Sequence, residues 1–364
     1  MGALGISGGV LRRAAALAEP FGADASELLT GRAALLGLHP PGRVSAGGAT
    51  RLLKAIDGWC ALTLSRADDV AAVPALLEAD DVADTWSDIA RWAATRSAAA
   101  VVQRAVLLGL PAARLGEAPA APPRVTSCGP TVPPRTVSGL LVVDLTSMWA
   151  GPLCGQLLAR AGAVVVKVES PTRPDGTRAG DRRFFDWMNH GKLSDTVDFG
   201  RDRQHLAALL AVADVVLEAA RPTALTRRGL GPQQAPARAG RVWVRITGYG
   251  PDEAERVAFG DDAAVAGGLV GQDADGPVFI GDAIADPLSG LEAAAAVRDS
   301  LGRGGGELID IAMSQVAATY ATLPPSEDIT GEPVPPDIDG PASALGADTD
   351  AVGRLLAERS AAAC

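Results

Sequence analysis

The sequence predicts an α/β protein in two parts: a large domain built on a Rossmann-like parallel sheet, and a smaller α+β domain ahead of it. Three observations carry this. From Ser138 onward, short apolar runs alternate with helical stretches, the pattern of a parallel sheet covered on both faces. The stretch Gly116–Val137, GEAPAAPPRVTSCGPTVPPRTV, is rich in proline and poor in large apolar residues, as a linker is. A chain of 364 residues also fits two domains at a typical size of roughly 150 residues each. The predicted parts are residues 1–115, the linker 116–137, and residues 138–364.

The small part opens with Ala/Leu-rich helical segments. Leu52–Ile56 leads into Asp57-Gly58, a hairpin-type turn, and Trp59–Leu64 follows as a strand. Segments 69–78, 84–95 and 97–108 read as helices, the last two started by Asp or Ser caps. In the large part Leu140–Leu145 is a buried strand, followed by a loop, a helix over 151–161 and the strand Val164–Glu169. A helix over 202–211 precedes the strand Asp214–Leu217, and Val242–Ile246 is the next strand. A helix from about Pro287 to Leu301, a glycine turn over 302–306 and the strand Leu308–Ile311 complete the sheet. Pro324–Pro341 is a second Pro/Asp-rich stretch, and the tail from Leu345 to Ala363 reads as helical.

Composition excludes several classes. Hydrophobic residues make up 48% and charged residues 21%, which is ordinary for a globular protein and not for a disordered chain. The net charge of −10 argues against a general nucleic-acid binder. It does not exclude a small polyanion held by a local Arg cluster. Cys60, Cys128, Cys154 and Cys364 are far apart, which points to a reducing compartment rather than a disulfide framework. With no long uncharged apolar run and no signal-peptide core, the expected location is the cytoplasm, with no membrane partner.

The first strand–helix–strand unit invites a dinucleotide reading, with Glu169 on a ribose. Its loop, Thr146-Ser147-Met148-Trp149-Ala150-Gly151-Pro152, has no GxGxxG, so a pyrophosphate has no close backbone approach. Glu169 then reads as a surface acid at a strand end. The sequence has no phosphate-binding GxxxxGK[ST], no HExxH and no GxSxG elbow, and His39, His190 and His205 are isolated. Metal ligation and serine-hydrolase chemistry are not supported. Asp286, in Ala285-Asp286-Pro287-Leu288-Ser289-Gly290, has two readings. One is a helix N-cap with Pro at the first helical position. The other is a catalytic carboxylate, kept ionised by the helix dipole and able to attack an acyl group. Periodicity does not separate them.

Several stretches together resemble the class III CoA-transferases, which include formyl-CoA and carnitine CoA-transferases and the related α-methylacyl-CoA racemases. They are Val143–Thr146 with Trp149–Pro152, Gly162–Glu169, Asn189–Lys192, Ala213–Glu218, Arg221-Pro222, Gly229–Gly231, Thr247–Gly250 and Ala285-Asp286. Each is weak alone; their order and spacing over 140–320 make the match. The resemblance implies that Asp286 is a nucleophile that moves CoA from an acyl-CoA to a small free carboxylate, through a mixed anhydride and an aspartyl-CoA thioester. It implies CoA and acyl-CoA as substrates rather than a permanently bound cofactor, and a homodimer, interlocked in relatives. It matches Ser147, Met148 and Trp149 to the loop lining the CoA cleft, Val197 and Ala224 to apolar contacts, and Arg227 to a basic position. Gly47-Gly48 resembles a shortened form of the glycine loop that covers the nucleophile; a plain turn is the other reading.

The order of parts differs from the usual family, in which the small domain is inserted within the large one. Here it comes first, so the chain resembles a circular permutant; loss of an upstream half from a tandem protein is the alternative. The racemase Gly-His-Asp stretch is Gly260-Asp261-Asp262 here, without the His. Ala219 and Ser170 replace residues common in the family, so Arg173, Arg178 or Arg228 is left to supply CoA contacts. Two rival readings follow: an epimerase using Asp286 with Asp262, and a non-catalytic CoA-binding paralogue.

Overall fold

Alternation of apolar side chains decides the layers. In a computed structural model of the chain, which describes residues 4–39, 42–220, 223–324, 329–330 and 333–361, Val142 faces one apolar core and Leu141 and Val143 the other. Val244 and Trp243 divide in the same way, as do Ile309 and Leu308. A strand has period two, so runs that are apolar throughout must be buried on both faces.

The chain begins with β1 (Ile6–Ser7), α1 (Gly8–Ala18) and α2 (Ala25–Leu36). The small unit follows: β2 (Thr50–Ala55), β3 (Gly58–Thr63), four helices α3 (Ala67–Ala71), α4 (Val73–Leu77), α5 (Thr85–Ala93) and α6 (Ala98–Leu107), and β4 (Ala112–Arg114). These strands form an antiparallel sheet in the order β2-β3-β4. Asp84 and Ser97 cap α5 and α6 as expected, accepting from the Ser87 and Ala100 amides at 2.7 and 3.2 Å. The helix expected over 69–78 is broken at Ala72, just before Pro74, whose nitrogen carries no hydrogen to continue the ladder.

The large unit runs β5 (Arg124–Ser127), β6 (Leu141–Leu145), α7 (Ala150–Arg160), β7 (Val164–Glu169), α8 (Arg182–Asn189), β8 (Leu193–Thr196), α9 (Arg203–Val212), β9 (Val215–Glu218), α10 (Thr223–Thr226) and β10 (Val242–Thr247). Then come α11 (Gly260–Ala266), the hairpin β11 (Gly271–Asp273) and β12 (Gly276–Val278), α12 (Ala285–Gly302), β13 (Glu307–Ala312), α13 (Met313–Ala321), β14 (Ile329–Thr330) and α14 (Thr349–Ala361). The sheet order is β5-β13-β10-β9-β6-β7-β8, parallel except for β5. Helix α7 covers one face and α9 the other. Strand order therefore reverses between β6 and β9. This is a topological switch point, where open α/β sheets leave a crevice at the carboxyl ends of the strands.

Two expectations about the parts change. The sequence places the first helices in the small part, but Val10, Ala14, Leu28 and Leu29 lie in the same core as α7 and α12. An apolar helix face does not specify its partner, and the large layer had open surface on α12. The linker is also not free chain: Arg124–Ser127 pairs antiparallel with β13 and closes the sheet edge. The motif residues Arg221 and Pro222, and Cys364, lie outside the described residues.

Candidate active site

Helix α12 runs back toward β13, so its N-terminus sits at the carboxyl edge of the sheet. Asp286 is the second residue of this helix; Ile284 holds the cap position. The N-cap reading is thereby corrected, because the backbone has already turned helical at Ala285. Ala283 has φ 43° and Gly281 φ 65°, so the chain enters the helix through two left-handed residues. The Asp286 amide donates to the Ala283 carbonyl (2.8 Å), and the Ala283 amide donates to Asp261 Oδ1 (3.0 Å). Gly260 lies against this turn: a Cβ there would stand 2.3 Å from the Ala283 oxygen and 2.5 Å from Asp286 Oδ2. Only a glycine lets α11 approach the carboxylate this closely.

Asp286 is partly exposed, and among the described residues no hydrogen bond reaches its carboxylate. Burial pushes its pKa up to about 7, and the charge of Asp261 adds to the effect while Arg32 opposes it. The expectation that the helix dipole keeps it fully ionised at neutral pH does not hold. Asp261 and Asp262 are likewise raised by burial, to about 6 and about 7, and Asp282 is raised too. Threonines of the small unit face them. Thr50 Oγ1 donates to Asp261 Oδ2 (3.2 Å), Thr63 Oγ1 donates to Asp262 Oδ1 (2.9 Å), and the two hydroxyls lie 3.0 Å apart. The expected glycine loop belongs here as well. Ser45–Thr50 forms a hydrogen-bonded turn. A Cβ on Gly47 would lie 3.9 Å from Arg32 Nη2.

Arg32, on α2, escaped the sequence reading. Its Nη1 donates to both oxygens of the buried Asp282, at 2.6 and 2.7 Å, and its guanidinium lies 5.4 and 5.5 Å from the Trp149 and Phe184 ring centres. The available signal was one charged residue in the apolar run Leu28–Leu36, preceded by the helix-interior Gly31. A Cβ on Gly31 would stand 2.8 Å from the Trp187 ring, so this helix is pressed close to α8.

The loop after β6 is held by buried lysines. Lys192 Nζ donates to Asp144 Oδ2 (2.9 Å); Lys167 Nζ donates to the Thr146 carbonyl (3.0 Å) and to Asp175 Oδ2 (2.8 Å). Asp175 Oδ1 in turn accepts from the Met148 amide (3.1 Å), which holds Met148 at φ 73°. Ser147 and Met148 are exposed at the crevice, whereas Trp149 is buried beneath Arg32 and so lines no open cleft. Val197 is fully buried in the core on the α9 face, which removes it from ligand contact. Ala224 is half-buried on α10, and Arg227 and Arg228 are exposed beyond it. Arg228 donates to the Ala224 and Phe199 carbonyls (2.8 and 3.2 Å). Arg178 is not free either: it pairs with Glu169 at 2.7 Å, and Glu169 is buried rather than the surface acid expected. The predicted residues thus fall into groups. Gly47 and Trp149 lie close to Arg32, whose charge acts on Asp286; Gly48 follows Gly47 in the same turn; Ser147 and Met148 follow β6, and Ala224, Arg227 and Arg228 lie on and just after α10.

Residues 137–347 match the profile of CoA-transferase family III. The chain belongs to that family. A succinyl-CoA–D-citramalate CoA-transferase of Chloroflexus aurantiacus is 29% identical over 261 residues, 62% of this chain and 65% of that protein. A formyl-CoA:oxalate CoA-transferase of Afipia carboxidovorans is 31% identical over 197 residues, 49% of this chain and 46% of the relative. A solved CaiB/BaiF family protein from Brucella suis superposes with a TM-score of 0.46 and 30% identity, covering 51% of this chain and 56% of its own. The chain thus spans less than two thirds of the length of each. The stretch matched to family III includes Asp286 and the Thr146–Trp149 loop, whereas Arg32, Gly47 and Gly48 precede it. Among the described residues no cluster of metal-ligating side chains occurs, and no helix is long and apolar enough to cross a membrane.

Proposed function

We propose that this protein is a CoA-transferase that moves CoA from an acyl-CoA to a free carboxylate, with Asp286 as nucleophile. One observation carries the reading. Asp286 is the accessible carboxylate at the sheet's carboxyl edge that the described residues leave without a hydrogen bond, and a glycine backbone is packed against its oxygen. A structural acid in that position would be tied down, as Asp261 and Asp282 are.

The ionised Asp286 attacks the thioester carbonyl; a C–O bond forms, the C–S bond breaks, and CoA leaves as the thiolate. The thiolate attacks the Asp286 Cγ of the mixed anhydride and releases the first acid. The acceptor carboxylate then attacks the aspartyl-CoA thioester, the thiolate leaves again, and its return to the new acyl carbon regenerates Asp286. An anhydride is water-sensitive, so the site must be shielded, a role that suits the Gly47–Gly48 turn. The switch point suits CoA, with Ser147 and Met148 exposed after β6 and Ala224, Arg227 and Arg228 on and just after α10, beyond β9. Epimerisation through Asp262 is less well supported, because Asp262 is fully buried. A homodimer, interlocked or not, and a permuted order of parts belong to the same proposal. Support for the permutation is that the family match begins at the end of the linker, after the small unit.

The test is chemical. The protein is incubated with a panel of acyl-CoAs and hydroxylamine, digested and weighed. A hydroxamate on the Asp286 peptide, absent in Asp286→Asn, is expected. CoA binding with no adduct from any acyl-CoA would leave a binding module instead, and deuterium wash-in at the α-carbon without CoA exchange would favour the epimerase. Light scattering during size-exclusion chromatography should return twice the chain mass.

A further inference from the structure

We propose that Arg32 is the anchor for the acid substrate: its unpaired Nη2 and Nε hydrogens hold the free carboxylate of the acceptor beside Asp286. This rests on the transferase reading and names the group that would recognise its second substrate.

The geometry of Arg32 carries the argument. Asp282 engages only Nη1, at 2.6 and 2.7 Å. Among the described residues nothing accepts from Nη2 or Nε, although a guanidinium offers five N–H donors in a fixed plane. The rings of Trp149 and Phe184 pack edge to face on each other, 5.3 Å between centres, and both lie close to the guanidinium. Ring packing and the Asp282 contact together fix its orientation, so little freedom remains to be lost on binding an anion. A Cβ on Gly47, in the turn expected to close over the nucleophile, would lie 3.9 Å from Nη2, so a residue without a side chain borders that edge. Arg32 keeps about a quarter of its side chain exposed, 24% against 1% for Asp282.

The surrounding charges say what would bind there. Asp261, Asp262, Asp282 and Asp286 crowd the site, and Arg32 is the cation that acts on Asp286. An incoming carboxylate meets repulsion everywhere except at the free edge of Arg32. Planar pairing of a carboxylate with two guanidinium N–H groups is the favoured geometry for such a pair. It would set one carboxylate oxygen toward Asp286. When that oxygen attacks the aspartyl-CoA carbonyl, a C–O bond forms, the C–S bond breaks and the electron pair leaves on the CoA sulfur; no proton is required. By microscopic reversibility the first acid leaves from the same place.

The experiment uses the full chain and the acyl-CoA that labels Asp286 most strongly, with its own free acid, isotopically labelled, as the probe. Exchange of label into acyl-CoA is followed for the wild type, Arg32→Gln, Arg32→Lys and the double variant Arg32→Gln/Asp282→Asn. The expected result is a KM for the acid raised about 10–100-fold in Arg32→Gln, the scale of one charge-assisted pair. CoA affinity, read by calorimetry, should be unchanged, and Arg32→Lys should recover part of the loss. The double variant removes the buried unpaired Asp282 charge. It should restore folding, read as a melting temperature, without restoring the KM. An acid KM unchanged in Arg32→Gln, or fully restored by Asp282→Asn, would overturn the proposal and leave Arg32 as the counter-ion of Asp282. Absence of any Asp286 adduct in the wild type would instead overturn the transferase reading, and this proposal with it.

Discussion

Replacing Gly260 by alanine tests whether the nucleophile is held by backbone contact. The added Cβ would lie 2.3 Å from the Ala283 carbonyl oxygen and 2.5 Å from Asp286 Oδ2. Relief needs a separation nearer the roughly 3.5 Å of ordinary non-bonded contact, so α11 and the 283–286 turn must part by about 1 Å. The obstructing oxygen at Ala283 is main-chain and cannot swing aside, and that residue is already left-handed at φ 43°. Overpacking of this kind costs about 1–3 kcal/mol, a fall in melting temperature of roughly 2–10 °C for a domain of this size. Activity should suffer more, because a shift of about 1 Å in a reacting group can cost ~100-fold in rate. The assay is the rate of hydroxamate formation on Asp286 by quench and mass spectrometry, with a thermal melt on the same sample. Gly353→Ala is the control: it lies in α14 with nothing within 4 Å of the new methyl, and it should stabilise by up to about 1 kcal/mol. If Gly260→Ala forms the adduct at the wild-type rate and melts unchanged, the close approach is incidental and the placement argument for Asp286 fails.

The remaining predictions concern charge and the glycine turn. With Asp286 raised to about 7 by burial, the rate of adduct formation should climb about tenfold per pH unit below that value and level off above it; a rate flat between about pH 5 and 8 would show a carboxylate ionised throughout. Asp262 is fully buried and raised to about 7. Between about pH 4 and 7 the unfolded chain has therefore released a proton that the folded chain still holds, and stability falls as pH rises through that window. Asp262→Asn should flatten the fall, by at most about 4 kcal/mol, as read from urea midpoints at about pH 5 and pH 8; an unchanged slope would place the proton elsewhere. Gly48 has φ 79° and open space around it, so Gly48→Ala should lose about 1 kcal/mol through strain alone. Gly47→Ala meets nothing nearer than 3.9 Å and should fold as the wild type does; equal losses in melting experiments would contradict the conformations assigned to the turn.

The sheet was legible because its strands are buried on both faces and read as unbroken apolar runs bounded by turns. Helix starts were legible where a short polar side chain caps them, as at Asp84 and Ser97. What the sequence could not convey was partnership. The apolar faces of α1 and α2 fit the small unit as well as the large one until their contacts with α12 are seen. Arg124–Ser127 carries exposed side chains and pairs chiefly through its backbone, so no hydrophobic pattern marks it. Val197 matched a ligand position but fills the core. Glu169 sits at a strand end, which suggests exposure, yet Arg178 and the Asp175 amide enclose it. The site divides along the same line. Asp286 was found through a linear motif, whereas Arg32 reaches it from more than two hundred residues away and belongs to no motif at all.

The charge state of the site follows from competing magnitudes. A helix N-terminus favours a carboxylate by about 0.3–1 kcal/mol, less than a tenfold change in proton affinity. Burial and the neighbouring Asp261 act the other way and carry Asp286 from the ordinary carboxylate range to about 7. The helix dipole acts toward the ionised form but is the smaller effect. The threonines of the covering unit act on the same balance. Thr50 Oγ1 donates to Asp261 and Thr63 Oγ1 to Asp262, at 3.2 and 2.9 Å, and each hydrogen bond favours the ionised form of its acid against burial. The charges of Asp261 and Asp262 in turn raise Asp286, so the unit that covers the site helps to set the proton affinity of the nucleophile near neutrality.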